Sequence, residues 1–226
     1  MTEPELLHRD GYVLLRSAIA PAWLDDLRGI FEEGILASDR WPVPRSSEYN
    51  HSRLEHQALV LAVCRLPSVL AAVAELIGER FFLAQVEGRE PRMGGGQQLM
   101  HRDLSTQRPG DTVNALAFFD DYSLDNGATR LVPGSHRPAP GALQHDHHDQ
   151  SQVVQLSGRA GDILVFDADL LHAGGLNRSG ARRRSILISY FAEPLYASHI
   201  QTQSLRGGAM ASRERFEPAD FPWPDI

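Results

Sequence analysis

Lysine is absent, and all 22 basic residues are arginine. Without a lysine ammonium there is no Schiff-base nucleophile, no anchor for pyridoxal phosphate and no phosphate-loop lysine. Cysteine is nearly absent. The single Cys64 excludes an intrachain disulfide and sits in the apolar stretch 58–64, where it reads as a core residue rather than a nucleophile. No apolar run reaches the roughly 20 residues that span a bilayer, and residues 1–10 lack an apolar signal core. A cytoplasmic location is therefore expected. Excess positive charge is also missing. The formal net charge is −7 with histidine neutral, and only Arg182, Arg183 and Arg184 are contiguous, so no basic face offers itself to nucleic acid. With 42% hydrophobic and 23% charged residues, the chain has the composition of a folded protein and not of a disordered one.

At 226 residues a single domain is expected. Its parts are a helical N-terminal portion over 1–79, a β-rich core over 80–195 and a C-terminal lid or tail over 196–226. Gly11-Tyr-Val-Leu-Leu15 predicts a short strand. Pro21 stands where a helix would start, and Leu24, Leu27, Phe31 and Ile35 share one face of a helix predicted over 21–36. A Pro- and Ser-rich connector at 41–50 leads to apolar helices at 57–65 and 67–77. Pro67 opens the second and Gly78 stops it. Seven short apolar runs follow, at 81–86, 113–119, 129–132, 153–156, 163–166, 170–173 and 184–191, each bounded by turn residues. Such spacing predicts a sandwich or barrel. The fold class expected is mainly β with flanking α-helices, a cupin-like jelly roll, which hides its strand edges by packing two sheets.

Ten histidines against one cysteine point to imidazole chemistry. His101-Arg-Asp103 places an imidazole and a carboxylate two residues apart, on one face if the segment is extended. His172 closes the strand-rich stretch Gly161-Asp-Ile-Leu-Val-Phe-Asp-Ala-Asp-Leu-Leu-His172 and offers a third ligand from a neighbouring strand. Two histidines and a carboxylate suit a non-haem Fe(II) centre with three positions open for a chelating cosubstrate and O2. A second His-x-Asp match, His147-His-Asp149, lies in a polar stretch and reads as a surface loop. Among the three adjacent arginines, a guanidinium fork turned inward would suit a planar, bidentate anion. If a turn at 177–180 closes a hairpin after His172, Ser185 falls opposite His172 and Arg183 opposite Gly174. Arg183 and Ser185 then face inward, while Arg182 and Arg184 turn away. Asp167 and Asp169 read as turn residues, Gly94-Gly-Gly96 as a flexible rim rather than a phosphate loop, and His136 as structural.

Jointly these motifs carry a resemblance. Gly11-Tyr-Val-Leu-Leu15, Gln98-Gln-Leu-Met-His-Arg-Asp103, Asn126-Gly-Ala-Thr-Arg-Leu-Val-Pro-Gly-Ser-His136, Gly161-Asp-Ile, and His172 with Asn177-Arg-Ser and Arg183-Arg-Ser185 stand in one order. The chain resembles, over nearly its whole length, the phytanoyl-CoA dioxygenase family of Fe(II)/2-oxoglutarate-dependent oxygenases. The resemblance implies a double-stranded β-helix and oxidative decarboxylation of 2-oxoglutarate with O2, coupled to attack on an unactivated C–H bond. Succinate and CO2 are the implied coproducts. It makes His101, Asp103 and His172 the iron ligands and Arg183, eleven residues after His172, the partner of the distal carboxylate. It further implies that Thr129 bonds that carboxylate through its hydroxyl and that Gln98 contacts the cosubstrate near the metal. Relatives that install halogen lack the carboxylate ligand, so Asp103 implies hydroxylation.

The substrate is expected to be a small molecule, an amino-acid-like metabolite or a natural-product intermediate. Its contacts are expected from loops around the mouth of the fold: Tyr49, Asn50, His51, Arg53, Arg102, Gln201 and Gln203. A monomer or homodimer with neither nucleic acid nor membrane as partner is the expected state. Two other classes fit the same residues. One is a jelly-roll metal enzyme that does not use 2-oxoglutarate, an isomerase or a cosubstrate-free oxidase, in which Arg183 is spare. The other is a non-catalytic, metal-stabilised ligand-binding module.

Overall fold

Alternation along the β-rich half decides which side chains meet the helices and which meet each other. The computed structural model describes residues 3–103, 110–137, 151–205 and 213–223. The N-terminal portion runs α1 (Glu3–Asp10), β1 (Tyr12–Leu15), α2 (Leu24–Glu33), β2 (Tyr49–Ser52), α3 (Ala58–Val63) and α4 (Pro67–Ile77). There follow β3 (Phe81–Pro91), β4 (Thr112–Phe118), β5 (Arg130–Leu131), β6 (Val154–Gln155) and β7 (Ile163–Asp167). β8 (His172–Ala173), β9 (Ser185–Ala192) and α5 (Tyr196–Gln201) complete the elements. Six strands form an antiparallel sheet in the order β1-β7-β4-β9-β3-β2, and β6-β5-β8 form a smaller one.

On β9, Ile186, Ile188 and Tyr190 face the helical layer, as do Val113, Ala115 and Ala117 of β4. There they pack with Leu27 and Phe31 of α2 and with Val69, Leu70 and Val73 of α4. Each such aliphatic or aromatic side chain contributes about 1.5–3 kcal/mol on burial. The alternate residues Ser185, Leu187, Ser189 and Phe191, with Thr112, Asn114 and Leu116, line a cavity on the other face of the sheet. One face therefore builds the core and the other the site. Pro67 occupies the first turn of α4, and Gly78 ends it at φ +70°, a left-handed conformation that glycine adopts without a Cβ penalty. Gly11 is glycine for closeness as well as for its φ of +81°, because a Cβ there would lie 2.5 Å from His136 Nδ1.

Several expectations are corrected. β8 and β9 do not form a hairpin: β8 pairs with β5, whereas β9 lies between β3 and β4. Asn177 is the cause. Its backbone N–H donates to Gly95 O and it bridges Asn126, so the chain crosses from the small sheet to the large one instead of folding back. The helix predicted over 21–36 opens as a 3-10 turn at Pro21–Trp23 and stops at Glu33. Beyond it Gly34 O accepts from Arg53 N and Ile35 bridges Ser52. The supposed connector thus ends in an edge strand, β2. The strand expected at 170–173 shrinks to two residues because Leu170 N donates to Asp167 O in a turn. Asp169 N also donates to Asp167 Oδ1, as expected of turn residues. Residues 145–149 lie outside the described residues. No helix among the described residues is long and apolar enough to cross a membrane.

Candidate metal centre

His101 and His172 meet as an antiparallel bridge in which each backbone N–H donates to the other's carbonyl, at 3.0 and 2.9 Å. Their rings are 4.5 Å apart. Each ring is tethered at Nδ1, His101 to Leu99 O and His172 to Leu170 O, both at 2.8 Å. A carbonyl only accepts, so in both rings Nδ1 carries a proton and Nε2 is the nitrogen left to offer a metal. The Asp103 carboxylate lies between them, Oδ1 3.8 Å from His101 Nε2 and Oδ2 3.5 Å from His172 Nε2. The ligand atoms of the three residues all lie within 4.8 Å of one another, the one such cluster among the described residues.

The electrostatics suit a cation. His101 is held below its ordinary value, first by burial and then by His172. Burial pushes the Asp103 carboxyl up, but His172, then His101 and Arg89, outweigh it and hold it below the usual carboxylate range. At neutral pH the cluster therefore offers a neutral imidazole from His101 and a carboxylate, the forms in which these groups bind metal. A donor set of two nitrogens and one oxygen, with both ring tautomers already fixed, fits a divalent transition metal.

The three residues line a cavity of about 260 Å³. Gln98, Thr129, Arg183 and Ser185 line it too. Arg183 is 4% exposed and lies 4.6 Å above the ring of Tyr122. Its Nε has no acceptor, and no carboxylate among the described residues pairs with it. Its neighbours are spent on acids outside the cavity lining. Arg182 pairs with Glu90 and Glu32, and Arg184 with Asp120 at 2.8 Å. A buried guanidinium without an anion fits a carboxylate-bearing ligand. Gln98 Oε1 accepts from Gly174 N at 2.8 Å, which leaves its amide NH2 for the cavity, and Ser185 Oγ donates to Arg89 O.

Of the expected substrate contacts, the structure brings only Tyr49 to the cavity wall, where its hydroxyl donates to Gly96 O. The others lie outside that lining. Asn50 donates to the buried Glu90 and accepts from Arg92. His51 is buried on Glu87, Arg53 pairs with Glu55, and Arg102 donates to Ser135 O. Gln201 and Gln203, in α5 and the turn after it, are absent from the lining. β2 lies at the sheet edge, so most of its polar groups serve β3 or solvent.

Sequence reading missed Gln85, Arg89, Asn114 and Ser189, all in the cavity lining. A signal was present for two of them. Asn114 interrupts Val113-Asn-Ala-Leu-Ala-Phe118, and Ser189 stands between Ile188 and Tyr190; a polar residue inside an apolar strand needs a partner.

The family model for phytanoyl-CoA dioxygenase (PhyH) matches residues 7–185. The chain belongs to the phytanoyl-CoA dioxygenase family. Among its relatives is an ectoine dioxygenase of Nocardia farcinica, 24% identical over 222 residues, covering 80% of this chain and 74% of that protein. In fold, this phytanoyl-CoA dioxygenase family member is similar to HygX from Streptomyces hygroscopicus, solved with nickel, 2-oxoglutarate and hygromycin B. That likeness has a TM-score of 0.70 at 16% identity, over 85% of this chain and 88% of that one. It is also similar to SnoK, a non-haem α-ketoglutarate-dependent carbocyclase of nogalamycin biosynthesis, with a TM-score of 0.69 at 19% identity over 84% and 83% of the two chains. The shared fold is the double-stranded β-helix.

Proposed function

We propose that the protein is an Fe(II)/2-oxoglutarate-dependent dioxygenase that hydroxylates an unactivated C–H bond of a small molecule and releases succinate and CO2. The observation that carries this reading is one cavity with a three-ligand cluster and, apart from it, a buried arginine lacking an anion. His101, Asp103 and His172 would hold the iron, and Arg183 the distal carboxylate of 2-oxoglutarate, with Thr129 and Ser185 beside it. The iron supplies activation of O2 for an oxidation that no protein side chain can perform. The protein's own groups bind and orient. Arg183 fixes the distal carboxylate of the cosubstrate, and the Nδ1 tethers hold both imidazoles in the tautomer that presents Nε2. From Ser185 to Phe191 the cavity-facing edge of β9 spans about 20 Å, so Gln85, Thr112 and Phe191 are left for the substrate. That mixture of amide, hydroxyl and aromatic ring suits an amino-acid-like metabolite or a natural-product intermediate.

The test is direct. Anaerobic protein with Fe(II) and 2-oxoglutarate should develop a visible charge-transfer band, and in air it should form succinate when a metabolite pool is added. A product heavier by one oxygen atom supports hydroxylation. A product lighter by two hydrogens, or isomeric with its substrate, would keep the dioxygenase class and replace the reaction. Absence of both the band and cosubstrate binding would sink the reading.

A further inference from the structure

A buried amide in mid-sheet is costly to leave without partners, and Asn114 is such a residue. It is 3% exposed on β4, between Val113 and Ala115, which face the helices. Both ends of its side chain are used. Nδ2 donates to Asp103 Oδ2 at 2.7 Å, and Oδ1 accepts from Ser189 Oγ at 2.7 Å. The β4–β9 register sets Asn114 directly opposite Ser189, so the hydroxyl meets the amide across two adjacent strands. Turning the amide over would set its oxygen against a carboxylate oxygen, so Asp103 fixes which end faces it and the Ser189 hydroxyl satisfies the other.

The comparison with the histidines gives this contact its meaning. Each imidazole has its own tether, at Leu99 O or Leu170 O. The Asp103 backbone is held by its N–H to Ala168 O at 2.9 Å, but that bond leaves the carboxylate free to rotate. Asn114 supplies the missing restraint. Building on the metal-centre reading, we infer that Asn114 is a positioning residue for the metal, oriented by Ser189. It ties one oxygen of Asp103, so that the carboxylate meets a divalent cation through the other oxygen. The position a chelating carboxylate would take then stays open to small-molecule ligands.

Titration of the metal-free protein with Co(II), followed by heat and by the visible Co(II) spectrum, tests this without substrate or turnover. Asn114→Leu keeps roughly the volume and removes the donor. Its Co(II) binding is expected to weaken ten- to a hundredfold, about the loss seen when such outer partners of a ligand are removed. The visible band should change, while the metal-free melting temperature is retained. Ser189→Ala should act in the same direction with a smaller loss, and it carries the test if Asn114→Leu does not fold. Wild-type Co(II) affinity and spectrum in the folded variant would overturn the inference, as would a melting shift with no change in Co(II) binding. If the wild-type protein binds no Co(II), the metal centre itself is refuted, and the inference falls with it.

Discussion

An arginine buried without an anion is a cost to the fold on its own, and Arg183 carries that cost over the ring of Tyr122. If the cation awaits a carboxylate, Arg183→Ala should weaken 2-oxoglutarate binding by about 2–5 kcal/mol, read by anaerobic titration in the presence of Fe(II). Arg182→Ala, next to it in sequence, breaks pairs with Glu32 and Glu90 that lie outside the cavity lining and should change cosubstrate affinity little. The same contrast shows how much was legible. Strand parity alone separates Arg183 and Ser185 from Arg182 and Arg184, and the structure keeps that division even though the hairpin used to argue it does not exist. Parity is local, whereas strand partners are set by distant residues. The Asn114 and Ser189 pair was readable only as two polar interruptions, because nothing within a single strand names the partner across the sheet.

β2 and β8 are the elements that sequence periodicity served least. β2 comes from a connector rich in Pro and Ser, and β8 has two residues, too few for alternation to register. Long apolar elements such as α4 and β9 were plain because burial repeats along them at a fixed period. β8 is fitted by contact. A Cβ on Gly174 would lie 2.6 Å from Gly96 O, 2.9 Å from Tyr49 Oη and 3.1 Å from Gln98 Oε1. Gly174→Ala is therefore expected to cost roughly 1–3 kcal/mol and to loosen 2-oxoglutarate by displacing Gln98, measured by thermal melting and by cosubstrate titration. β2 is fastened through a buried charge. Burial pushes Glu87 up, but the hydrogen bond to His51, then Arg89 and Arg45, prevail and hold its carboxyl down to about 2. Its folded value lies below the ordinary one near 4.3, so the stabilisation is present above pH ~4.3 and is lost as pH falls toward ~2. The stability difference between wild type and Glu87→Gln, on the order of 3 kcal/mol at pH 7, should shrink in denaturant titrations below pH 4.

At the scale of the whole molecule, the β-rich core, the helical flank and the family were open to reading, since each rests on a pattern repeated along the chain. The crossing at Asn177 was not, because it depends on Gly95 and Asn126 closing around it. A metal held by His101, Asp103 and His172 would bind only the folded chain. Co(II) at a hundred times its dissociation constant should therefore raise stability by about 2.7 kcal/mol, and the melting temperature by several degrees. Chelation should reverse both.

The bridge between His101 and His172 also bears on kinetics. Residues about 70 positions apart come together late, because closing a long loop costs entropy before its contacts repay it. A metal seated on that bridge is expected to act after the rate-limiting step of folding. Co(II) is thus expected to slow unfolding in denaturant jumps while leaving the refolding rate unchanged, so that the bound protein resists opening without having been quicker to close.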